Sequence, residues 1–328
     1  MSNFYRVHNE EQVPVMGGTK DTEVGNYLER LKETLSIDIV SSTEEEIVFD
    51  LVGVDASMAN ALRRIMMAEV PTVAIEKVWI SANSGIVQDE ILAHRVGLIP
   101  LKVDPTKLDY VAKGEDGEDE ETDADTLVLH LNVFFPHPDQ DPTTFPPGIN
   151  VGPGGEVLSK HLQWLPIGGQ EETFLEGVRP VHEDIVIAKL RPGQSIEFEA
   201  HCRKGVGKDH AKFSPVATVS YRLLPSISFP EKMKGKEAKE LVAMCPMNVF
   251  DIEDSVAAVQ RPRDCTMCRE CIRREGWQDK VHLKRKADHF IFTVESSGAM
   301  PPADIVRQGI AVLKEKATTF SKIVAESA

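Results

Sequence analysis

Three of the chain's five cysteines lie close together, at positions 265, 268 and 271 of the segment CTMCREC. A fourth, Cys245, precedes a proline and is separated from Cys265 by nineteen residues, whereas Cys202 lies apart. Disulfide frameworks are typical of short secreted chains. This chain has 328 residues and opens without a charged and then apolar signal segment, so we expect reduced thiols that bind a metal or a cluster.

The cysteine spacing resembles half of a bacterial ferredoxin. There, a CxxCxxC run supplies three ligands of a 4Fe-4S cluster and a distant Cys-Pro supplies the fourth. A tetrahedral zinc site usually draws its ligands from two separated CxxC pairs, and the second pair is absent here. The spacing therefore favours a 4Fe-4S cluster over a zinc ion and over four unligated thiols. Its ligands would be Cys245, Cys265, Cys268 and Cys271.

The composition narrows the classes of function. The length predicts about two or three domains, and 41% hydrophobic residues can supply a sizeable core. No apolar run reaches the length of a transmembrane helix. The formal net charge of -15 argues against a free-standing DNA-binding surface. We therefore expect neither a membrane partner nor direct sequence-specific contact with DNA.

Acidic residues are concentrated in one segment. EDGEDEETDAD, residues 115–125, carries eight carboxylates and no base, and without it the net charge would be -7. A run of like charges repels itself and has nothing to bury. The sequence therefore predicts a solvated loop here.

Motifs for catalysis are few. GVGK at 205–208 lacks the first glycine and the Ser or Thr of a phosphate-binding loop, so we interpret it as a hairpin loop. The ten histidines form no HExxH motif, and no Asp-rich polymerase metal motif occurs. His94, beside Arg95, is better explained by packing or hydrogen bonding than by general-base catalysis. A redox function would therefore depend on the cysteines alone.

Periodicity predicts the elements that surround these residues. In EEEIVFDLVGV, Ile47, Phe49 and Leu51 alternate with their neighbours and predict a strand. DASMANALRRIMMAEVP predicts a helix that is capped by Asp55 or Ser57 and stopped by Pro71. The predicted apolar face of this helix comprises Met58, Ala61, Leu62, Ile65 and Met66.

Further strands are predicted around this pair. The segments are TVAIEKVWISANSG, LVLHLNVFF, SIEFEAHCRKG and FSPVATVSYRLLP. Proline and glycine crowd residues 136–155 and predict an extended loop. Residues 1–36 are polar and contain a short helical pattern, NYLERLKETL, so we interpret them as an arm that contacts a partner.

The end of the chain predicts a strand, a proline-initiated turn and a long helix. Apolar residues recur along this helix at spacings of four and three: Val306, Ile310, Leu313, Ala317, Phe320 and Val324. One interpretation is an amphipathic helix on its own sheet. The other is a seam for a partner's helix. Ile305, Val312 and Ile323 widen the apolar face beyond what one sheet needs to cover, which favours the partner.

Several segments carry a family resemblance. They are FDLVGVDASMANALRRIMMAEVPTVAIEKVWI, DEILAHRVGLIPL, DHAKFSPVATVSYRLLP, CPMNVFDIED and FIFTVESSGAMPPADIVRQGIAVLKEK. In this order they resemble the RNA polymerase α-subunit family, over nearly everything after residue 36. The arm, the acidic and proline-rich insertions, and the phrases VFDIED and VESSGAMPP are most similar to the larger α-like subunit shared by RNA polymerases I and III. The archaeal D subunit is second.

The resemblance implies a discontinuous α+β architecture. Residues 37–86, 214–226 and 281–328 would form an α-subunit-type dimerisation domain. Residues 87–213 would form an inserted β-rich domain, and residues 227–280 a small ferredoxin-like insert. The cluster would then be structural, because this insert has few apolar residues of its own.

The resemblance also implies a function and partners. The chain would be a non-catalytic assembly platform of RNA polymerases I and III, for rRNA, 5S rRNA and tRNA transcription, in the nucleus including the nucleolus. The terminal stripe would pair with the small α-like subunit. Other partners would be the largest and second-largest polymerase subunits and the small zinc-binding subunits. Asn60, Arg63 and Arg64 of the helix motif would lie at a subunit interface, although arginines on such a helix are ordinarily its solvated face.

Three alternatives remain open at this point. The first is an iron-sulfur redox carrier or enzyme, suggested by the cysteines alone. The second is an archaeal-type D subunit of a single RNA polymerase, because the four thiols resemble that branch. The third is a zinc-stapled interaction protein outside transcription. Nothing after the terminal helix resembles the DNA-binding C-terminal domain of bacterial α.

Overall fold

The computed structural model describes residues 8–9, 29, 31–114, 119–139, 147–152 and 154–327. It is a mixed α+β structure with several sheets, which confirms the predicted fold class at this level. The chain divides into two compact units. The first unit is Met1–Ser41, Ile47–Ala61 and Ser220–Thr293, and the second unit is Ser42–Glu46, Leu62–Val219 and Val294–Ala328. The four predicted domain ranges stay a prediction.

Strands outnumber helices along the described part of the chain. Helical residues 29 and 31–34 precede five helices. These are α1 (Ala56–Ala68), α2 (Asp89–Gly97), α3 (Gln170–Thr173), α4 (Gly235–Met244) and α5 (Pro302–Ser327). The strands are β1 (His8–Asn9), β2 (Ser36–Ser42), β3 (Glu46–Val52), β4 (Pro71–Asn83), β5 (Leu101–Lys102), β6 (Ala112–Lys113), β7 (Asp119–Glu120), β8 (Thr126–Phe134), β9 (Ile149–Asn150), β10 (Glu156–Leu158), β11 (Gln163–Leu165), β12 (Arg179–Pro180), β13 (Val186–Lys189), β14 (Ser195–Val206), β15 (Val216–Ser228), β16 (Phe250–Glu253), β17 (Val256–Val259) and β18 (His282–Ser296).

The sheet of the first unit has the strand order β1-β18-β3-β2, with β15 also beside β18. Ile47, Phe49 and Leu51 are buried, which confirms the strand and the face predicted for β3. The ring of Phe49 stacks on that of Phe292 in β18, with centroids 5.0 Å apart. Strands distant in sequence are thus joined by aromatic packing in the middle of the sheet.

The predicted arm is described only in part. Its residues 8–9 form β1, which pairs in parallel with Lys284 and Arg285 of β18. Residues 31–34 are helical, as the pattern NYLERLKETL predicts, and the rest of that pattern lies largely outside the described residues. Contact between the arm and a partner remains a prediction.

The cysteine-bearing part of the first unit has its own apolar core. Helix α4 packs with the hairpin of β16 and β17. The buried residues of this cluster are Met233, Ala238, Leu241, Val249, Phe250, Ala257, Cys265, Cys271, Ile272, Trp277, Val281 and Leu283. The expectation that this segment has few apolar residues to hold itself is therefore wrong. Leu241, Val249 and Phe250, from the stretch LVAMCPMNVF, form part of this core.

The second unit is built around a sheet with the order β11-β8-β14-β4, with β9 also beside β8. Strand β14 pairs antiparallel with both β4 and β8, so Phe198 lies opposite Ile80 on one side and Leu131 on the other. Helix α2 contributes Leu92 and Val96 to the same core. The strands predicted at β4, β8, β14 and β15 are confirmed.

The segment GVGK is not a hairpin loop. Gly205 and Val206 complete β14, and the amide of Lys208 donates a hydrogen bond of 2.8 Å to the carbonyl of Ala68 at the end of α1. A Cβ at Gly207 would lie 2.3 Å from the carbonyl oxygen of Met67. The glycine therefore allows the chain to pass close to the helix end, which is a packing role.

The acidic segment is only partly tested, because residues 115–118 lie outside the described residues. The part from β7 onward is not a solvated loop. Asp119 and Glu121 pair with Arg203 of β14, and Asp125 is buried with hydrogen bonds from neighbouring threonines. The prediction failed because bases that are distant in sequence neutralise these carboxylates.

Within the described residues, none of the helices is both apolar and long enough to span a membrane.

Candidate subunit interface and cysteine cluster

Helix α5 begins buried. Ile305 is fully buried and Val306 nearly so. A Cβ at Gly309 would lie 2.9 Å from Cγ of Met66 and 3.5 Å from Cδ1 of Leu62. The absence of a side chain at Gly309 therefore lets α5 approach α1 closely. The ammonium of Lys316 also pairs with the carboxylate of Glu69, with 2.7 Å between Nζ and Oε1.

The rest of α5 is uncovered in this chain. Every residue from 314 to 327 is exposed. Phe320 has 69% of its surface exposed, Val324 has 50% and Ile310 has 42%, whereas Leu313 is half-buried. The interpretation of a helix on its own sheet therefore does not extend past the first turns. The predicted stripe lies along one helix. Its first member, Val306, is buried within this chain, and only its later members are exposed.

Helix α1 confirms the predicted helix and corrects its apolar face. The face buries Ala59, Leu62, Ile65 and Met66, whereas Met58 is exposed. The predicted face included Met58, but the buried stripe follows the spacing 59, 62 and 66, which turns Met58 outward.

The three polar residues proposed for an interface differ in exposure. Asn60 and Arg63 are half-buried, and Arg64 is exposed. The guanidinium of Arg63 lies 3.3 Å from the sulfur of Met67, one helical turn on. Of the two arginines, Arg64 is thus the one that the helix presents to solvent. Their contact with another subunit stays a prediction.

The structure brings the four predicted cysteine ligands together. Cys245 follows α4, and all four line one small cavity that Val249 and Phe250 also border. Cys265 and Cys271 are buried, Cys245 is intermediate and Cys268 is exposed. The fifth cysteine, Cys202, is fully buried in β14 of the second unit.

The backbone around these thiols adopts unusual conformations. Met267 and Arg269 flank Cys268 with φ of 59° and 65°, and Asn248 near Cys245 has φ of 52°. Left-handed conformations cost energy for residues other than glycine and cluster at functional sites. Alternating right- and left-handed residues can turn successive amides toward an anion, as at many Fe–S sites. The amide of Val249 already donates to Sγ of Cys245 at 3.4 Å.

Burial keeps the thiols of Cys265 and Cys271 protonated when no cation is bound. It raises the pKa of Cys271 to about 12, and the neighbouring thiols add to this increase. Burial likewise raises the pKa of Cys265. A bound metal would reverse this preference, because a coordinating thiol loses its proton outright.

The donor set bears on both metal hypotheses, because each takes its ligands from these four thiols. Within the ranges that the structure describes, no three Cys, His, Asp or Glu side chains are placed to hold a single metal ion. A tetrahedral zinc site needs four ligands that converge on one point, with sulfur at about 2.3 Å. Four thiols line the shared cavity, with no histidine or carboxylate beside them, and four thiolates are the ligand set of a 4Fe-4S cluster.

Sequence reasoning missed Asp50, an acidic residue in the middle of β3. Both of its oxygens accept hydrogen bonds from Arg263, at 2.7 and 2.8 Å, and His289 Nε2 lies 2.9 Å from Oδ2. Burial acts to raise the pKa of Asp50, but these hydrogen bonds and charges outweigh it and lower the pKa. The signal in the sequence was a single carboxylate within the apolar run IVFDLV.

A long helix with an exposed apolar stripe is typical of a protein that pairs with another subunit. The match to known proteins agrees with this class. The chain belongs to the family described as the RNA polymerase Rpb3/Rpb11 dimerisation domain, whose model matches residues 48–317.

Curated relatives cover most of the chain. It is 47% identical to a subunit of Dictyostelium discoideum named DNA-directed RNA polymerases I and III subunit rpac1, over 88% of this chain and 81% of the relative. It is 46% identical to subunit RPAC1 of Homo sapiens, over 89% and 85% of the two chains. It is 42% identical to subunit RPAC1 of Saccharomyces cerevisiae, over 96% and 95%.

More distant relatives belong to other polymerases. The RNA polymerase II subunit rpb3 of Dictyostelium discoideum is 34% identical, over 88% of this chain and 95% of its own length. The archaeal subunit Rpo3 of Methanosphaera stadtmanae is 32% identical, over 89% and 99%.

Proposed function

We propose that this chain is a non-catalytic assembly subunit of DNA-directed RNA polymerases I and III. The observation that carries this proposal is its identity of 42 to 47% with subunits named for those two polymerases. The same chain shares only 34% with an RNA polymerase II subunit and 32% with an archaeal one. The alternative of an archaeal-type subunit of a single polymerase is therefore not favoured.

The proposed partner at α5 is the small α-like subunit of these polymerases. The apolar stripe of α5 repeats at spacings of three and four, and its members Ile310, Phe320 and Val324 are exposed. Such a stripe suits the apolar face of another helix. Its far end has nothing of its own chain to cover it among the described residues. Pairing would remove this apolar surface from water and so stabilise the assembly.

Further contacts follow from the same assignment. Arg64, exposed on α1, is available for the second-largest polymerase subunit, with Asn60 and Arg63 beside it. The largest subunit and the small zinc-binding subunits are the other proposed neighbours. The complex would then act in the nucleus, including the nucleolus, and supply the nucleotidyl-transfer activity that this chain lacks. No sequence-specific contact with DNA is assigned to it.

We assign the four thiols of the ferredoxin-like insert to a structural 4Fe-4S cluster. Cys245 would hold the end of α4, and Cys265, Cys268 and Cys271 would hold the loop that follows. Because the insert already has an apolar core, the cluster would order this loop more than hold the whole insert. When bound, it would supply a covalent cross-link between these segments and no step of a reaction.

Elemental analysis tests the cluster. The chain purified without oxygen should contain about four irons and four acid-labile sulfides, as a 4Fe-4S cluster requires. Cys265→Ser should lose most of both, whereas Cys202→Ala should keep them, because Cys202 lies in another unit. One zinc per chain without sulfide would contradict the assignment.

Isolation of the tagged chain from its own cells tests the assembly role. In high salt, mass spectrometry should find a small α-like subunit together with the largest subunits of both polymerases I and III. Recovery of polymerase II subunits instead would contradict the assignment to polymerases I and III. Recovery of a reductase without polymerase subunits would favour the redox alternative.

A further inference from the structure

We propose that Asp50 is a positioning residue for the cysteine cluster. Its carboxylate holds Arg263, and through Arg263 it fixes the turn that delivers Cys265. All of these residues belong to the first unit. The inference concerns the thiol loop, residues 265–271, and does not depend on which polymerase contains the chain.

The contact between Asp50 and Arg263 has a defined geometry. The two guanidinium nitrogens Nη1 and Nη2 donate to Oδ2 and Oδ1 at 2.8 and 2.7 Å. A bidentate pair of this kind fixes orientation as well as distance, which a single hydrogen bond does not. Asp50 is only 9% exposed, so water competes little for its oxygens.

The carboxylate is itself held in place by the sheet. Asp50 lies in β3, and His289, its second partner at 2.9 Å, lies in the adjacent strand β18. The same two strands are joined by the stacked rings of Phe49 and Phe292. Asp50 therefore anchors the thiol loop to the sheet, outside the apolar core of the insert.

The anchor reaches Cys265 through two residues of backbone. A 3-10 turn spans Pro262–Asp264, and the amide of Cys265 closes it by donating to the carbonyl of Pro262 at 3.2 Å. The guanidinium of Arg222 donates to the carbonyl of Arg263 at 2.8 Å. Arg263 is thus held at its side chain and at its backbone, two residues before the first thiol of the triplet.

The loop needs such an anchor because its own conformation is costly. Met267 and Arg269 have positive φ values on either side of Cys268. Such conformations persist only where the surroundings over-determine them. Without Asp50 holding its start, the loop should relax, and the buried thiols should open to solvent more often.

The rate of thiol labelling in the metal-free full-length protein tests the proposal. Asp50→Asn keeps the size of the side chain but removes its charge and one acceptor. Cys265 should then react with a maleimide about ten times faster than in the wild type, because local opening becomes easier. Cys268, already exposed, should react at an unchanged rate. Peptide mass spectrometry reports each cysteine separately.

Two further variants keep the result interpretable. Arg263→Lys retains the charge but loses the bidentate geometry, so it should give a smaller acceleration, and it serves as the test if Asp50→Asn does not fold. Arg203→Ala removes a base that is as buried as Asp50 but lies in the second unit, and it should leave the labelling rate of Cys265 unchanged. An unchanged rate at Cys265 in both loop variants, or an equal acceleration by Arg203→Ala, would overturn the proposal.

The same variants separate this inference from the presence of a cluster. If the thiols hold a 4Fe-4S cluster, its absorbance should decay faster in air in Asp50→Asn than in Arg203→Ala. If iron is absent but the labelling rates change as expected, Asp50 still positions the loop, and only the assignment of the cluster fails.

Discussion

Glu121 shows how this strongly acidic chain uses single carboxylates. Burial acts to raise its pKa, but hydrogen bonds from Lys77, His201 and Arg203 outweigh burial and lower the pKa to about 2. These partners come from β4 and β14, so the carboxylate joins the acidic segment to the central sheet of the second unit.

The lowered pKa of Glu121 predicts a dependence of stability on pH. Its ordinary value of 4.5 applies to the unfolded chain, so its contribution is fully present above that pH and is lost as the pH falls toward 2. We expect Glu121→Gln to lower the free energy of unfolding in urea at pH 6. The difference from the wild type should narrow by pH 3.

A neighbouring carboxylate supplies the control for this experiment. Glu120 is exposed, so Glu120→Gln should give a curve close to that of the wild type at every pH. A difference for Glu121→Gln that stays constant from pH 6 to pH 3 would show that its ionisation does not stabilise the fold.

At the scale of single residues, the sequence predicted which thiols lie together but not which bases pair with the buried carboxylates. The spacing of Cys265, Cys268 and Cys271, with Cys245 upstream, was enough to expect four thiols around one cavity. The partners of Asp50 and Glu121 are far away in sequence, and no local pattern connects Glu121 with Arg203. Such pairs depend on strand pairing, which a charge run alone does not reveal.

At the scale of elements, α1 and α5 show what periodicity can predict. Both helices, with their approximate apolar faces, were evident from spacings of three and four. The pattern could not show that Gly309 is the point where α5 approaches α1 closely. Nor could it show that α5 becomes exposed to solvent soon after Gly309. Burial depends on the length of the neighbouring element, which the helix's own sequence does not contain.

The exposed part of α5 yields a prediction about pairing. Phe320→Asp should change the unfolding free energy of the isolated chain by less than about 0.5 kcal/mol, because Phe320 is exposed there. It should weaken binding of the small α-like subunit by about 30-fold, as expected when a central aromatic contact is lost. Isothermal titration with the purified partner gives the affinity, and thermal unfolding gives the stability.

The opposite face of the helix supplies the matched control. Lys322 lies two residues from Phe320, roughly 200° around the helix axis, and Lys322→Glu should leave the affinity nearly unchanged. Equal weakening by both variants would point to a general effect of negative charge. No weakening by Phe320→Asp would exclude Phe320 from the interface.

At the scale of the whole molecule, the family resemblance predicted more than the local patterns did. Both compact units are assembled from segments distant in sequence, which periodicity cannot join. The ordered set of resembling segments predicted the family, which the match over residues 48–317 confirms, whereas the predicted domain ranges stay a prediction. The net charge of -15 also fits a subunit that works through other proteins more than through DNA.

Rapid depletion of this chain in its own cells, followed by measurement of newly made RNA, tests the assembly role most directly. The account predicts that synthesis of ribosomal RNA precursor, 5S rRNA and tRNA falls together, before synthesis of messenger RNA changes. A fall in messenger RNA synthesis first, or continued synthesis of all these classes after the chain is gone, would contradict it.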